Sequence, residues 1–102
     1  MAVLYITEYA EMQIGPAGRA GQMPMEPPLA EQTVAIGGTS TASAAFNAKT
    51  RFVRLHTDAI CSVLFGTAPT AAATNGRMAA NQTEFRAVPL GASYKVAVIT
   101  NT

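Results

Sequence analysis

The chain has 102 residues, enough for one small domain and too few for two. Half of it is apolar, but much of that is alanine, tryptophan is absent, and charged residues make up 13% against a usual quarter. Seven basic residues against six acidic ones, with no basic stripe, argue against nucleic-acid binding; no run is long and apolar enough to span a membrane; and a single cysteine excludes an internal disulfide, which fits production in a reducing cytoplasm.

Residues 2–9, AVLYITEY, read as a strand. Ala2, Leu4 and Ile6 fall on one face, and Val3, Tyr5, Thr7 and Tyr9 on the other. Both faces are largely apolar, so the strand is expected to be covered on both sides or carried into a neighbour. Its start lacks the basic region and long apolar run of a signal peptide.

Residues 10–30 lose that pattern. Four of the six prolines and three of the eight glycines lie there, and neither a period of 2 nor one of 3.6 survives. Gly15, Gly18 and Gly21 echo collagen, but three triplets cannot hold a triple helix. The reading is an extended N-terminal segment, residues 1–30, preceding a core of residues 31–102. Met12, Met23 and Met25 suit an arm that settles on another surface, because methionine is flexible and polarisable. The residues expected to make that contact are Val3, Leu4, Tyr5, Ile6, Tyr9, Met12, Met23 and Met25.

Strand signals then repeat at 32–37, 40–47 (weak, being alanine- and serine-rich), 51–56, 60–65, 83–88 and 94–100. Between them, residues 66–82 form a long loop of small residues with a turn at Asn75-Gly76 and a short strand near Arg77-Met78. No window carries a helical stripe. Seven or eight short strands in about 100 residues predict an all-β fold, an antiparallel β-sandwich of the jelly-roll kind with an extended N-terminal arm. An immunoglobulin-like arrangement lacks its paired cysteines and tryptophan here.

RFVRLHTDAICSVLF, residues 51–65, holds the only histidine, His56, and the only cysteine, Cys61. Folded as a β-hairpin about Thr57-Asp58-Ala59, it sets His56 opposite Ile60 and Arg54 opposite Ser62. Val53, Leu55, Cys61, Val63 and Phe65 then share one face, with Phe52, Arg54, His56, Ile60, Ser62 and Leu64 on the other. Cys61 and His56 point to opposite sides, so no thiol–imidazole pair forms and no catalytic residue is assigned. One cysteine and one histidine fall short of a zinc site, and the six carboxylates are too scattered for calcium. No glycine-rich loop precedes a helix, so neither metal nor cofactor is expected.

FVRLHTDAICSVLFGTAPTAAATNGRMAANQTEF, residues 52–85, and YKVAVITN, residues 94–101, resemble the small structural proteins of tailed bacteriophages. The resemblance covers roughly the C-terminal half and lies in the character of the strands and the small-residue loop. It implies a β-sandwich subunit present in many copies on the virion, made in the host cytoplasm: a capsid decoration or cement protein that bridges major-capsid subunits, with residues 1–30 as the extension to a neighbour. The alternative it leaves open is a tail, neck or fibre-attachment component, or a host-surface adhesin. The expected partners are the major capsid protein, other virion subunits and further copies of this chain as a homo-oligomer, with no nucleic acid and no membrane. A low charge content supports surfaces covered by partners.

Overall fold

A computed structural model describes residues 2–10, 12–14, 20–24, 26–91 and 93–101, with 12–14 and 20–24 as backbone. Among these residues there is no helix and there are ten strands: β1 Val3–Tyr9, β2 Met12–Ile14, β3 Ala20–Pro24, β4 Ala30–Ala35, β5 Thr41–Ala42, β6 Phe52–Thr57, β7 Cys61–Gly66, β8 Gly76–Met78, β9 Thr83–Ala87 and β10 Lys95–Thr100. Eight of them build two four-stranded antiparallel sheets. Sheet I runs β4-β1-β6-β9 and sheet II runs β5-β10-β7-β8, while β2 and β3 pair with each other.

Side-chain alternation decides which face of each strand turns inward. Leu4 and Ile6 of β1, Val34 of β4, and Val53 and Leu55 of β6 leave sheet I to form one side of the core. Cys61 and Val63 of β7, Met78 of β8, and Val96 and Val98 of β10 supply the other side, and Phe46 packs in from the segment after β5. Each large side chain fully buried this way contributes about 1.5–3 kcal/mol before ordering costs. This single shared core is what makes the two sheets one sandwich-like unit.

The flanks between the sheets are closed by polar groups. On the β4 side, the Glu8 carboxylate is 2% exposed and fully partnered. Its Oε1 accepts the Asn47 N–H and the Thr50 hydroxyl, both at 2.7 Å, and its Oε2 accepts from Gln32 Nε2 at 3.4 Å. Gln32 also clasps Ala44, accepting its N–H at 2.9 Å and donating to its carbonyl at 3.3 Å. On the β9 side, Arg86 pairs with Glu84 at 2.6 Å and lies beside Gly76 of β8.

Three expectations change. The segment 51–65 is not a hairpin: β6 pairs with β1 and β9, and β7 pairs with β10 and β8, so the two strands lie in opposite sheets. Thr57 pins the corner, its hydroxyl donating to the Ala59 carbonyl at 2.6 Å and accepting the Ala59 N–H at 3.2 Å. Val53 and Leu55 therefore meet Cys61 and Val63 across the core instead of side by side. The grouping of faces holds for those residues, while Ser62, on the opposite face, is also fully buried.

The second change concerns β1. It is an interior strand of sheet I, with Leu4 opposite Val34 and Thr57, so it belongs to the sandwich and not to a separate arm. Its inward face is buried throughout, while its outer face is covered only in part: Tyr9 is buried against Phe52, but Tyr5 is 43% exposed.

The third concerns residues 40–47, where the strand shrinks to Thr41–Ala42; beyond it the Ser43 and Phe46 N–H groups still donate to the Val96 and Tyr94 carbonyls, while the Ala44 and Asn47 N–H groups donate to Gln32 and Glu8.

β2 and β3 pair antiparallel as a separate two-stranded sheet, with Met12 opposite Pro24 and Ile14 opposite Ala20. A six-residue strand spans roughly 20 Å, whereas the molecule measures 47 × 26 × 21 Å.

Candidate functional site

The strand pattern that builds the core also separates the two nucleophile-and-base candidates. Cys61 is fully buried between the sheets, its thiol donating to Thr57 Oγ1 at 3.5 Å. Burial pushes the thiol pKa up, the Glu84 charge adds to that, and the Thr57 contact opposes it. His56 sits on the outer face of sheet I, with Nδ1 2.8 Å from Thr83 Oγ1. Sheet I thus lies between imidazole and thiol, as the alternation of residues requires. Asp58 is exposed at the corner, its backbone N–H bonded to the Val3 carbonyl. Among the described residues no group of three or more His, Cys, Asp or Glu side chains could hold a metal ion.

The residues expected to bind a partner divide sharply. Leu4 and Ile6 are spent in the chain's own core, at 0% and 1% exposure, and are not available to a neighbour. Tyr9 is buried too, stacked on Phe52 with ring centroids 5.3 Å apart and donating its hydroxyl to Glu26 Oε2 at 2.7 Å. Val3 is half-buried and Tyr5 exposed. Met12 and Met23 fall in β2 and β3, and Met25 lies outside the described residues.

The structure instead assembles a patterned surface on the outer face of sheet I. Register sets it out in rows: Thr33, Tyr5, His56 and Thr83 in one; Glu31, Thr7, Arg54 and Phe85 in the next; Tyr9, Phe52 and Ala87 in a third. The Tyr5 and His56 rings are 6.3 Å apart, and Phe52 and Phe85 are 6.4 Å apart. Two open depressions of ≈ 300 and ≈ 310 Å³ adjoin on this face and share Tyr5, Thr7 and Glu31; the first extends to Thr33, the second to Arg54 and His56. The sequence places Arg54 and His56 on one face but joins them to Ser62 and Leu64, because a hairpin sets residues 51–56 beside 60–65. The usable signal for the rest was alternation in TEFRA, residues 83–87, which sets Thr83 and Phe85 together.

No protein-family model, no curated protein and no solved structure matches the chain. The class the structure defines is an all-β chain of two four-stranded antiparallel sheets and a separate two-stranded one, with a patterned outer face on sheet I.

Proposed function

We propose that this chain is a virion structural subunit, a capsid decoration or cement protein that binds and stabilises the major capsid shell of a tailed bacteriophage. It acts by adhesion, not catalysis, in contact with major-capsid subunits and further copies of itself. The observation that carries the reading is the separate pair β2–β3, whose strands bond to each other while the other eight share two sheets. An isolated two-stranded hairpin is marginal in water. A strand pair outside both sheets is therefore suited to be ordered by a neighbour, and this one takes the part of the arm.

The strand order supports a jelly-roll reading. Sheet II, β5-β10-β7-β8, has the order of one jelly-roll sheet. Sheet I, β4-β1-β6-β9, has the order of the other if the first strand stands where a jelly roll puts its last. Jelly rolls serve capsids, lectins and cupins alike, so the fold agrees with the proposal without selecting it.

The test is quantitative mass spectrometry of purified particles of the phage encoding the chain, with rebinding of full-length protein to stripped shells. The expected results are a copy number proportional to that of the major capsid protein, and loss of rebinding when residues 12–24 are replaced by Asn-Gly with circular dichroism unchanged. A copy number matching the tail or neck would transfer the protein there. Absence from particles would end the reading.

A further inference from the structure

The two sheets treat their outer faces differently. Over sheet II lies the chain's own loop 67–75. Asn101 Nδ2 ties it down by donating to the Ala73 carbonyl at 3.0 Å and to Ser62 Oγ at 2.6 Å, and the Ala71 N–H donates to Ser40 Oγ at 2.8 Å. Under it, Ser62 and Ala97 are fully buried. Among the described residues no such loop lies over the Tyr5 row of sheet I, where Tyr5 and Phe85 remain 43% and 48% exposed.

The polar groups of that face are also unspent. Among the described residues, Tyr5, Thr7, Glu31, Thr33 and Arg54 make no side-chain hydrogen bond or ion pair, although Arg54 is half-buried. His56 uses one ring nitrogen on Thr83 and keeps the other. Glu31 and Arg54 stand in the same row on either side of Thr7, so the groove carries both signs of charge and selects against a polyanion as well as a polycation. Hydroxyl, carboxylate and guanidinium groups between exposed rings match a neutral polyhydroxylated ligand: C–H faces lie on the rings, and neighbouring hydroxyls bond to Arg54 and Glu31. From strand spacing and rise, the Tyr5 and Phe85 positions are roughly 12 Å apart, the length of a short oligosaccharide.

We propose that the outer face of sheet I is a saccharide-binding site for a neutral glycan chain, with Tyr5 and Phe85 as stacking platforms and Arg54 and Glu31 as hydroxyl-reading groups. The site does not depend on where the chain is mounted, so it stands or falls separately from the virion reading.

The experiment is an amide-resonance titration of the full chain with cellohexaose, maltohexaose and chitohexaose, with a heparin hexasaccharide as the anionic control. At least one neutral sugar should shift Tyr5, Thr7, Arg54 and Phe85 and leave residues 67–75 unmoved. Tyr5→Ala and Phe85→Ala should each weaken it about ten-fold, and Arg54→Met should do so while keeping the side chain's bulk. Leu90→Ala, on an exposed turn, should leave binding unchanged. These positions lie outside the shared core, and circular dichroism checks the fold of each variant. No response to any neutral sugar, response to heparin alone, or full binding by Tyr5→Ala and Phe85→Ala would overturn the proposal. So would an assembly whose mass falls when the rings are removed while no sugar binds, since a second copy would then be the occupant.

Discussion

The phenol of Tyr9 lies against the Phe52 ring, and its hydroxyl donates to the Glu26 carboxylate. Burial is the main cause that drives its pKa up from 10 to about 12; the hydrogen bond to Glu26 and that carboxylate's charge add to it, and Arg54 works against it. The folded chain therefore holds this proton more tightly than the unfolded chain does. The stabilisation is complete below pH 10 and is lost as pH rises through about 12. Tyr9→Phe should cost about 1 kcal/mol near neutrality through the lost hydrogen bond. The gap between wild type and variant should then close and reverse across that alkaline window, read as urea midpoints at successive pH values. A gap that stays constant to the alkaline end would show that the proton is not linked to folding.

At the scale of elements, one carboxylate supplies two of the anchors of the segment between β5 and β6. Glu8 comes from β1 yet anchors Asn47 and Thr50, so a residue that reads as the polar break in an apolar strand is the clasp for a stretch with little ladder of its own. Glu8→Ala leaves a part-buried N–H and a buried hydroxyl without an acceptor and should destabilise the chain by about 2 kcal/mol. Glu8→Gln retains one carbonyl oxygen and should cost about half of that. Chemical denaturation gives the totals, and hydrogen exchange at Asn47 shows whether the clasp itself has opened. This clasp was not legible, because Glu8 bonds to residues some forty positions away and no local period marks such a partner. The existence of β1, β6, β7, β9 and β10 was legible from apolar alternation, within a residue or two at the ends. The β6–β7 connection was not: a three-residue link with matched inward faces suits either neighbours in one sheet or strands facing each other across a core. Thr57, wholly buried at the corner, decides for the second. The patterned groove suffered from the same gap. Its rows come from β1, β4, β6 and β9, and only the strand order of sheet I brings Glu31, Arg54 and Phe85 into line.

Across the whole molecule, the start of β1 and the end of β10 are anchored side by side. The Ala2 carbonyl accepts from the Ile36 N–H, while the Thr100 N–H donates to the adjacent Gly37 carbonyl. Val3 and Asn101 likewise both bond the β6–β7 corner, at Asp58 and Ile60. β1 and β10 are interior strands of different sheets, so a link from the end of β10 to the start of β1 crosses the sandwich as β6 to β7 does. That link would also restore the connection a jelly roll makes between its last two strands, which gives the proposed topology a direct test. Thr102 joined to Met1 through about six Gly/Ser residues provides a span of roughly 13 Å. New ends between Pro89 and Leu90 fall in an exposed turn, where cutting is best tolerated. The permuted chain should fold to the same amide spectrum outside the cut and the joint, with a loss of no more than about 2 kcal/mol by urea denaturation, because every strand keeps its neighbours and only the order of connection changes. If the permutant stays unfolded, or if resonances change throughout sheet I, then β1 depends on a free N-terminus to take its place, and the jelly-roll reading of its position fails.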